Sequence, residues 1–375
     1  MKKIIYRKLA QDCIKFFLLI LFTISIIIWV LQAVNYLDFV TEDGHGFLVY
    51  FNYTLLSLPK IIGRIFPFAI FLSFTYILLK YENKNELVIF WNFGIKKITF
   101  INFFIKFSFL FVFISILINA IISPYAQDKA RSFIRSSDLD FFESILKPKK
   151  FIDTIERLTI YIDEVGKNRE LINIYLNNNL GETSQITFAK IGKVENYGSK
   201  KILVLKEGIT ISEINGNISE LKFTKSDFDI SKFSTKTTVT KKIQETSTKN
   251  LIECLIIFHK TTDKIELSKK ILVRNCGLSN LENIHQELYS RLVKPFYITF
   301  LIAISLLLIL KSKRNHLFNL NKIKIYSLGF VAIIFLEVST KFINTNLTQN
   351  LFFIILPIFF ILIMYIFFLK SLKTN

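Results

Sequence analysis

The stretch Lys80-Tyr81-Glu82-Asn83-Lys84-Asn85-Glu86-Leu87-Val88-Ile89-Phe90-Trp91-Asn92-Phe93-Gly94-Ile95-Lys96-Lys97 lies between two long apolar segments. It is too short and too charged to be a domain. Its middle predicts a short helix: Asn85 can cap the start, Glu86 suits the positive end of the helix dipole, and Gly94 supplies a stop. Leu87, Phe90 and Trp91 fall on one face of that helix. An apolar knob on such a loop is costly to leave in water and should insert into a neighbouring span or into a protein partner. The chain has no phosphate-cradling Gly-x-x-x-x-Gly-Lys-Ser/Thr loop, so ATP hydrolysis by this chain is disfavoured. Two readings of the knob follow: a lever that receives motion from a separate ATPase, or an interfacial helix that only packs beneath the spans.

Working outward, the chain alternates apolar and polar blocks. Hydrophobic residues make up 51% of the 375 residues and Phe alone supplies 40, alongside 21% charge. Residues 1–15 carry Lys2, Lys3, Arg7, Lys8 and Lys15, and the run Phe16–Val34 is almost wholly apolar. That run is long enough to cross a bilayer, and Trp29-Val30-Leu31-Gln32 stands near its end in place of a small-x-small cleavage site, so it reads as an uncleaved span 1. Span 2 is expected over 56–79, bent or delayed by Pro59 and Pro67, and span 3 over 98–122, ending at Ser123-Pro124. Spans 4, 5 and 6 are expected over 292–310, 325–343 and 351–369.

Residues 125–290 change character. A polar helical stretch, 125–136, opens the block. Short runs at 158–162, 171–176, 185–189, 202–205, 209–211, 218–223 and 228–230 follow, separated by turn signals that include Glu207-Gly208 and Asn215-Gly216. That spacing predicts an antiparallel sandwich or open barrel. Residues 250–292 are mostly helical. The expected division is 1–124 with spans 1–3 and the coupling helix 85–94, a β domain over 125–290, and spans 4–6 over 291–375.

Orientation follows from the cations beside the spans. The amino terminus, the 80–97 loop, the 311–324 loop and the tail are rich in Lys and Arg, whereas 35–55 and 344–350 have none. The positive-inside rule then places both termini in the cytoplasm and the β domain outside. The net charge of +19 is accounted for in part by these flanks, and with no nucleic-acid-reading motif present, no nucleic-acid partner is expected. Cys254 and Cys276 share the external block and can form a disulfide there, although two separate thiols are the favoured state. The four histidines are scattered, so no metal and no cofactor are expected.

Few residues within the spans can carry chemistry. Glu337 and Lys341 stand at i and i+4 in span 5 and can pair, either simply neutralising each other or facing an aqueous cavity. Lys60 and Arg64, one turn apart in span 2, snorkel to headgroups or face an anionic cargo. Gln32 and Asn119 can hydrogen-bond between helices. With no Ser/His/Asp set and no carboxylate dyad, a non-catalytic membrane component is favoured, with a scaffold or an ion-coupled secondary transporter as alternatives.

The three-plus-three arrangement resembles the LptF/LptG permeases of lipopolysaccharide export (the YjgP/YjgQ family). The resemblance is carried by Glu86-Leu87-Val88 with Gly94-Ile95, by Leu58-Pro59 and Phe66-Pro67, by Pro124-Tyr125-Ala126-Gln127, and by the entry His285…Arg291-Leu292…Pro295. It implies a jelly-roll-like β domain that hands acyl chains to a periplasmic LptC/LptA-like bridge. It further implies an inner-membrane cavity lined by spans 1, 2 and 5, a paralogous permease partner, and lipopolysaccharide as cargo. Glu86, Leu87, Phe90, Trp91 and Gly94 would form the element docking on a cytoplasmic LptB-like ATPase dimer. Gln32, Lys60, Arg64, Glu337 and Lys341 are the cargo-cavity candidates. Gln32 stands where family members often carry a cation, so Lys60, Arg64 or Lys341 would take over its phosphate contact. The 285–295 entry leans toward the LptF-like partner.

Overall fold

The computed structural model describes residues 2–37, 46–145, 148–155, 158–166, 170–179, 183–197, 200–214, 217–229, 242–260, 276–277, 280–311, 313 and 316–373. Six helical stretches are long and apolar enough to cross a membrane: Lys3–Asn35, Phe47–Asn83, Lys97–Ile134, Leu281–Leu310, Phe318–Phe342 and Thr348–Lys373. They are spans 1 to 6 below. The chain folds as two compact units, one formed by Met1–Leu31, Leu56–Asp128 and Lys241–Asn375, the other by Gln32–Leu55 and Lys129–Thr240.

In the first unit span 4 is the hub. Its helix Tyr297–Leu306 is apolar all round, and Ile298, Leu301, Ile302, Ala303, Ile304 and Leu306 are all buried. A helix with no polar face must be enclosed by others. Span 2 (helix Leu58–Asn83) and span 3 (helix Lys97–Leu117) enclose it. Since lipid removes much of the hydrophobic drive between helices, small hydroxyls supply specificity. Thr75 Oγ1 lies 2.9 Å from Ser305 Oγ, and Ser108 Oγ donates to Thr299 Oγ1 at 2.9 Å. Spans 1, 5 and 6 bury much less of themselves and carry exposed apolar stripes, Phe22, Ile26 and Val30 on span 1 for example. Gly329 of span 5 meets span 2 closely: a Cβ there would lie 1.9 Å from the Phe71 ring.

Within span 3 the helix Lys97–Leu117 gives way to a π-helical turn, Ile118–Ile122, and within span 4 another, Tyr289–Val293, precedes the helix Tyr297–Leu306. Pro124 and Pro295 stand just beyond them, and neither ring nitrogen can donate to the carbonyl four residues back.

The second unit holds a six-stranded antiparallel sheet: β1 (Phe151–Ile155), β2 (Leu158–Val165), β3 (Leu171–Asn179), β4 (Thr183–Tyr197), β5 (Lys200–Ile214) and β6 (Asn217–Asp229). The strand order is consecutive, a meander with no Greek-key crossing among the described residues. Alternation sets the core: Leu158, Ile160 and Ile162 on β2 face Ile174 and Leu176 on β3 and Leu203 and Leu205 on β5. Glu207-Gly208 is not the turn that the sequence suggests. It lies inside β5, with Glu207 at φ +53°, and a Cβ on Gly208 would strike the Phe188 carbonyl at 2.4 Å. The glycine there permits a close strand approach, not a reversal. Asn215-Gly216 lies outside the described residues, with Ile214 and Asn217 registered on either side of it.

Candidate functional site

Two places in the first unit gather the residues singled out by the sequence. The first is the short helix Glu86–Asn92. Asn85 precedes it in the left-handed region at φ +55° and makes no side-chain cap, so the expected N-cap is absent. The far end is closed by glycine. Gly94 sits at φ +69°, its N–H donating to Trp91 O at 2.9 Å, and the Ile95 N–H donates to Phe90 O at 3.1 Å. That bond pair, with Ile95 buried alongside Phe90, is a Schellman closure.

Leu87 and Phe90 are each 1% exposed and Trp91 is half-buried. Phe90 meets Tyr6 and Phe100 edge-on at 6.0 and 5.3 Å, and Trp91 lies 5.7 Å from Phe100 with Lys97 Nζ 5.9 Å above its ring. The predicted apolar face therefore inserts into the neighbouring spans. The opposite side is also apolar: Val88, Ile89 and Phe93 are exposed. Sequence reasoning overlooked these three because it followed one helical stripe in a segment with apolar residues on both sides. It also missed two ties beside the helix. Tyr81 Oη donates to Asp12 at 2.6 Å, and buried Glu82 accepts from the Lys313 backbone N–H at 2.7 Å.

The second place is a cleft of about 670 Å³ whose lining includes Arg64, Lys242, Gln244, Glu287, Lys294 and Glu337. It brings Arg64 and Glu337 together. Lys60 joins through its 2.8 Å donation to Gln244 Oε1. Glu337 does not pair with Lys341, the partner its spacing suggested: it accepts from Lys294 Nζ at 2.7 Å, and Lys341 is exposed in the turn Thr340–Phe342. Lys294 is well covered beside the start of the helix Tyr297–Leu306, whereas Lys341 lies exposed where the helix tightens to a 3-10 turn. Gln32 belongs to the other unit. Arg64 and Lys242 make no ion pair among the described residues.

Behind the cleft, Arg291 is 2% exposed and donates to Glu287 at 2.8 Å, to the Thr246 and Gln244 carbonyls at 2.9 and 3.0 Å, and to Thr248 Oγ1 at 3.0 Å. A buried guanidinium is tolerated only when it is paired and hydrogen-bonded, and here all three of its nitrogens donate. Cys254 and Cys276, with Leu251, Ile284 and Leu288 around them, are joined in a disulfide, which corrects the expectation of two separate thiols.

Six helices long and apolar enough to cross a membrane, with an antiparallel β domain between the third and fourth, define a class: a multi-pass membrane protein with an inserted β domain. The chain belongs to the family described as lipopolysaccharide export system permease LptF/LptG, whose sequence pattern matches residues 7–371. It is also similar to a protein of Rickettsia prowazekii (strain Madrid E) described as "Uncharacterized protein RP871", at 22% identity over 224 residues. That match covers 59% of this chain and 62% of the relative's length.

Proposed function

We propose that this chain is a permease subunit of an ATP-driven exporter that extracts lipopolysaccharide from the inner membrane, working beside a paralogous permease. The observation that carries the reading is the family match over nearly the whole chain. The helix Glu86–Asn92 is the lever. Leu87, Phe90 and Trp91 root it in spans 1 and 3, so that a push on it moves the bundle, while Val88, Ile89 and Phe93 form the face that seats in the groove of an LptB-like ATPase dimer, with Glu86 at its rim. ATP-driven closure of the dimer tilts spans 2 and 3 and narrows the cavity.

Lys60, Arg64 and Lys242 are the cations that meet cargo phosphates, and the β domain passes acyl chains to an LptC/LptA-like bridge. Two features support a cytoplasmic lever and a periplasmic β domain: the cation-rich flanks, and the Cys254–Cys276 disulfide, which is stable in an oxidising compartment. The test is purification of the full chain from membranes followed by identification of co-purifying proteins. An ATPase subunit lost on Ile89→Asp and retained on Lys322→Ala is the expected result; an ATPase retained on both removes the lever from the account.

A further inference from the structure

Thr248 joins the two π-helical turns. Pro124 cannot donate to Ala120, the carbonyl four residues back, so that oxygen has no α-helical donor at i+4. The Thr248 hydroxyl donates to it from outside the helix. The same hydroxyl oxygen accepts from Arg291 Nη1, which lies in the other π turn. A hydroxyl has one proton and two lone pairs, so both bonds coexist. The turns themselves, Ile118–Ile122 and Tyr289–Val293, pack on each other. Arg291 spends its remaining donors on the carbonyls of Gln244 and Thr246 and on Glu287. Residues 244–248 are thus tied from behind to the π turns of spans 3 and 4. From the front of the same segment, Lys242 and Gln244 face the cleft, and Gln244 receives Lys60.

We propose that Arg291 is a positioning residue for the cleft and that Thr248 makes the Lys242–Gln244 wall follow the two π turns. A shift at either π turn is then delivered to that wall. The importance of the wall rests on the reading of the cleft as the cargo-facing site; the mechanical link does not. The sequence hides this node because its three members, Ala120, Thr248 and Arg291, come from distant parts of the chain, and only the two prolines hint that helical carbonyls need outside donors.

The test uses the full chain purified in detergent, with spin labels at residues 242 and 283, both on the cleft, and the distance between them measured by pulsed EPR. Thr248→Val keeps the shape and removes the hydroxyl. Arg291→Lys keeps the charge and cannot reach all its acceptors. The expected result is a narrow distribution in the parent that broadens in both variants. Pro124→Ala returns an N–H to the Ala120 carbonyl, so Thr248→Val should broaden the distribution less in that background. Distributions as narrow as the parent's in both single variants overturn the proposal, and Thr248→Val decides it alone should Arg291→Lys not fold.

A second readout separates positioning from general packing. With a photoreactive residue at 242 or at 64 and purified lipopolysaccharide as probe, Arg291→Lys should lower crosslinking at 242 severalfold and leave that at 64 unchanged. Equal loss at both sites overturns positioning. Absence of crosslinking at both sites in the parent sinks the cargo reading, and the joint is then judged on the spin-label distances.

Discussion

Glu337, on the fifth span, takes its hydrogen bond from Lys294 on the fourth, 2.7 Å away, and not from Lys341 one turn along its own helix. The pair is asymmetric: the Lys294 side chain is 15% exposed and that of Glu337 55%. Removing the acid strands a covered ammonium, whereas removing the base leaves a carboxylate that water can reach. Glu337→Leu should therefore destabilise by about 2 kcal/mol, Lys294→Met by about 1 kcal/mol or less, and the double variant should fall below the sum. Melting temperatures in one detergent check the ranking, and equal costs for the two single changes would contradict it.

Gly329 tests the contact between spans 5 and 2. Its missing Cβ leaves room for the Phe71 ring, and Gly329→Ala forces that buried ring or the helix to move. A loss of about 1–3 kcal/mol is expected from overpacking. Phe71→Leu in the same chain should restore part of it. A neutral Gly329→Ala would mean that the two helices are not in contact there.

The short helix gives a contrast between its faces. Phe90→Ala opens a cavity among Tyr6, Trp91 and Phe100 and should cost about 3–5 kcal/mol in melting experiments. Val88→Asp and Ile89→Asp, on the exposed side, should leave melting within about 0.5 kcal/mol of the parent. Those two are the changes expected to abolish ATPase co-purification. Gly94→Ala, at φ +69°, should cost about 1 kcal/mol and fray only this helix.

Cys254 and Cys276 are 22 residues apart, a loop whose closure constrains the unfolded chain by about 3 kcal/mol. Replacing both with Ser should lower the melting temperature by an amount that reductant reproduces in the parent. On a non-reducing gel, the denatured parent should take one maleimide mass tag, at the free Cys13, without reductant and three after reduction. Tagging of both thiols without reduction would show that the bond does not form in cells.

Much of this architecture is legible along the chain. The six spans follow from apolar runs long enough for a bilayer, and the β domain from short alternating runs between spans 3 and 4. The stop at Gly94 follows because a left-handed residue after a helix favours glycine. Other local signals misled. Glu207-Gly208 resembles a turn, yet its glycine serves a close strand approach inside β5. Asn85 has the chemistry of a cap and sits in the left-handed region without acting as one.

What the sequence alone determined is whatever depends on neighbours a few residues away: hydropathy, periodicity, charge flanking the spans, and the membership these patterns express. The tertiary structure decided which apolar face of the Glu86–Asn92 helix turns inward, which of two lysines holds Glu337, and which threonine donates to the carbonyl that Pro124 cannot serve. The physical reason is range. Helical and strand tendencies are set by local sterics, whereas ion pairs and hydrogen bonds between spans are chosen by the packing of segments that lie far apart in the chain.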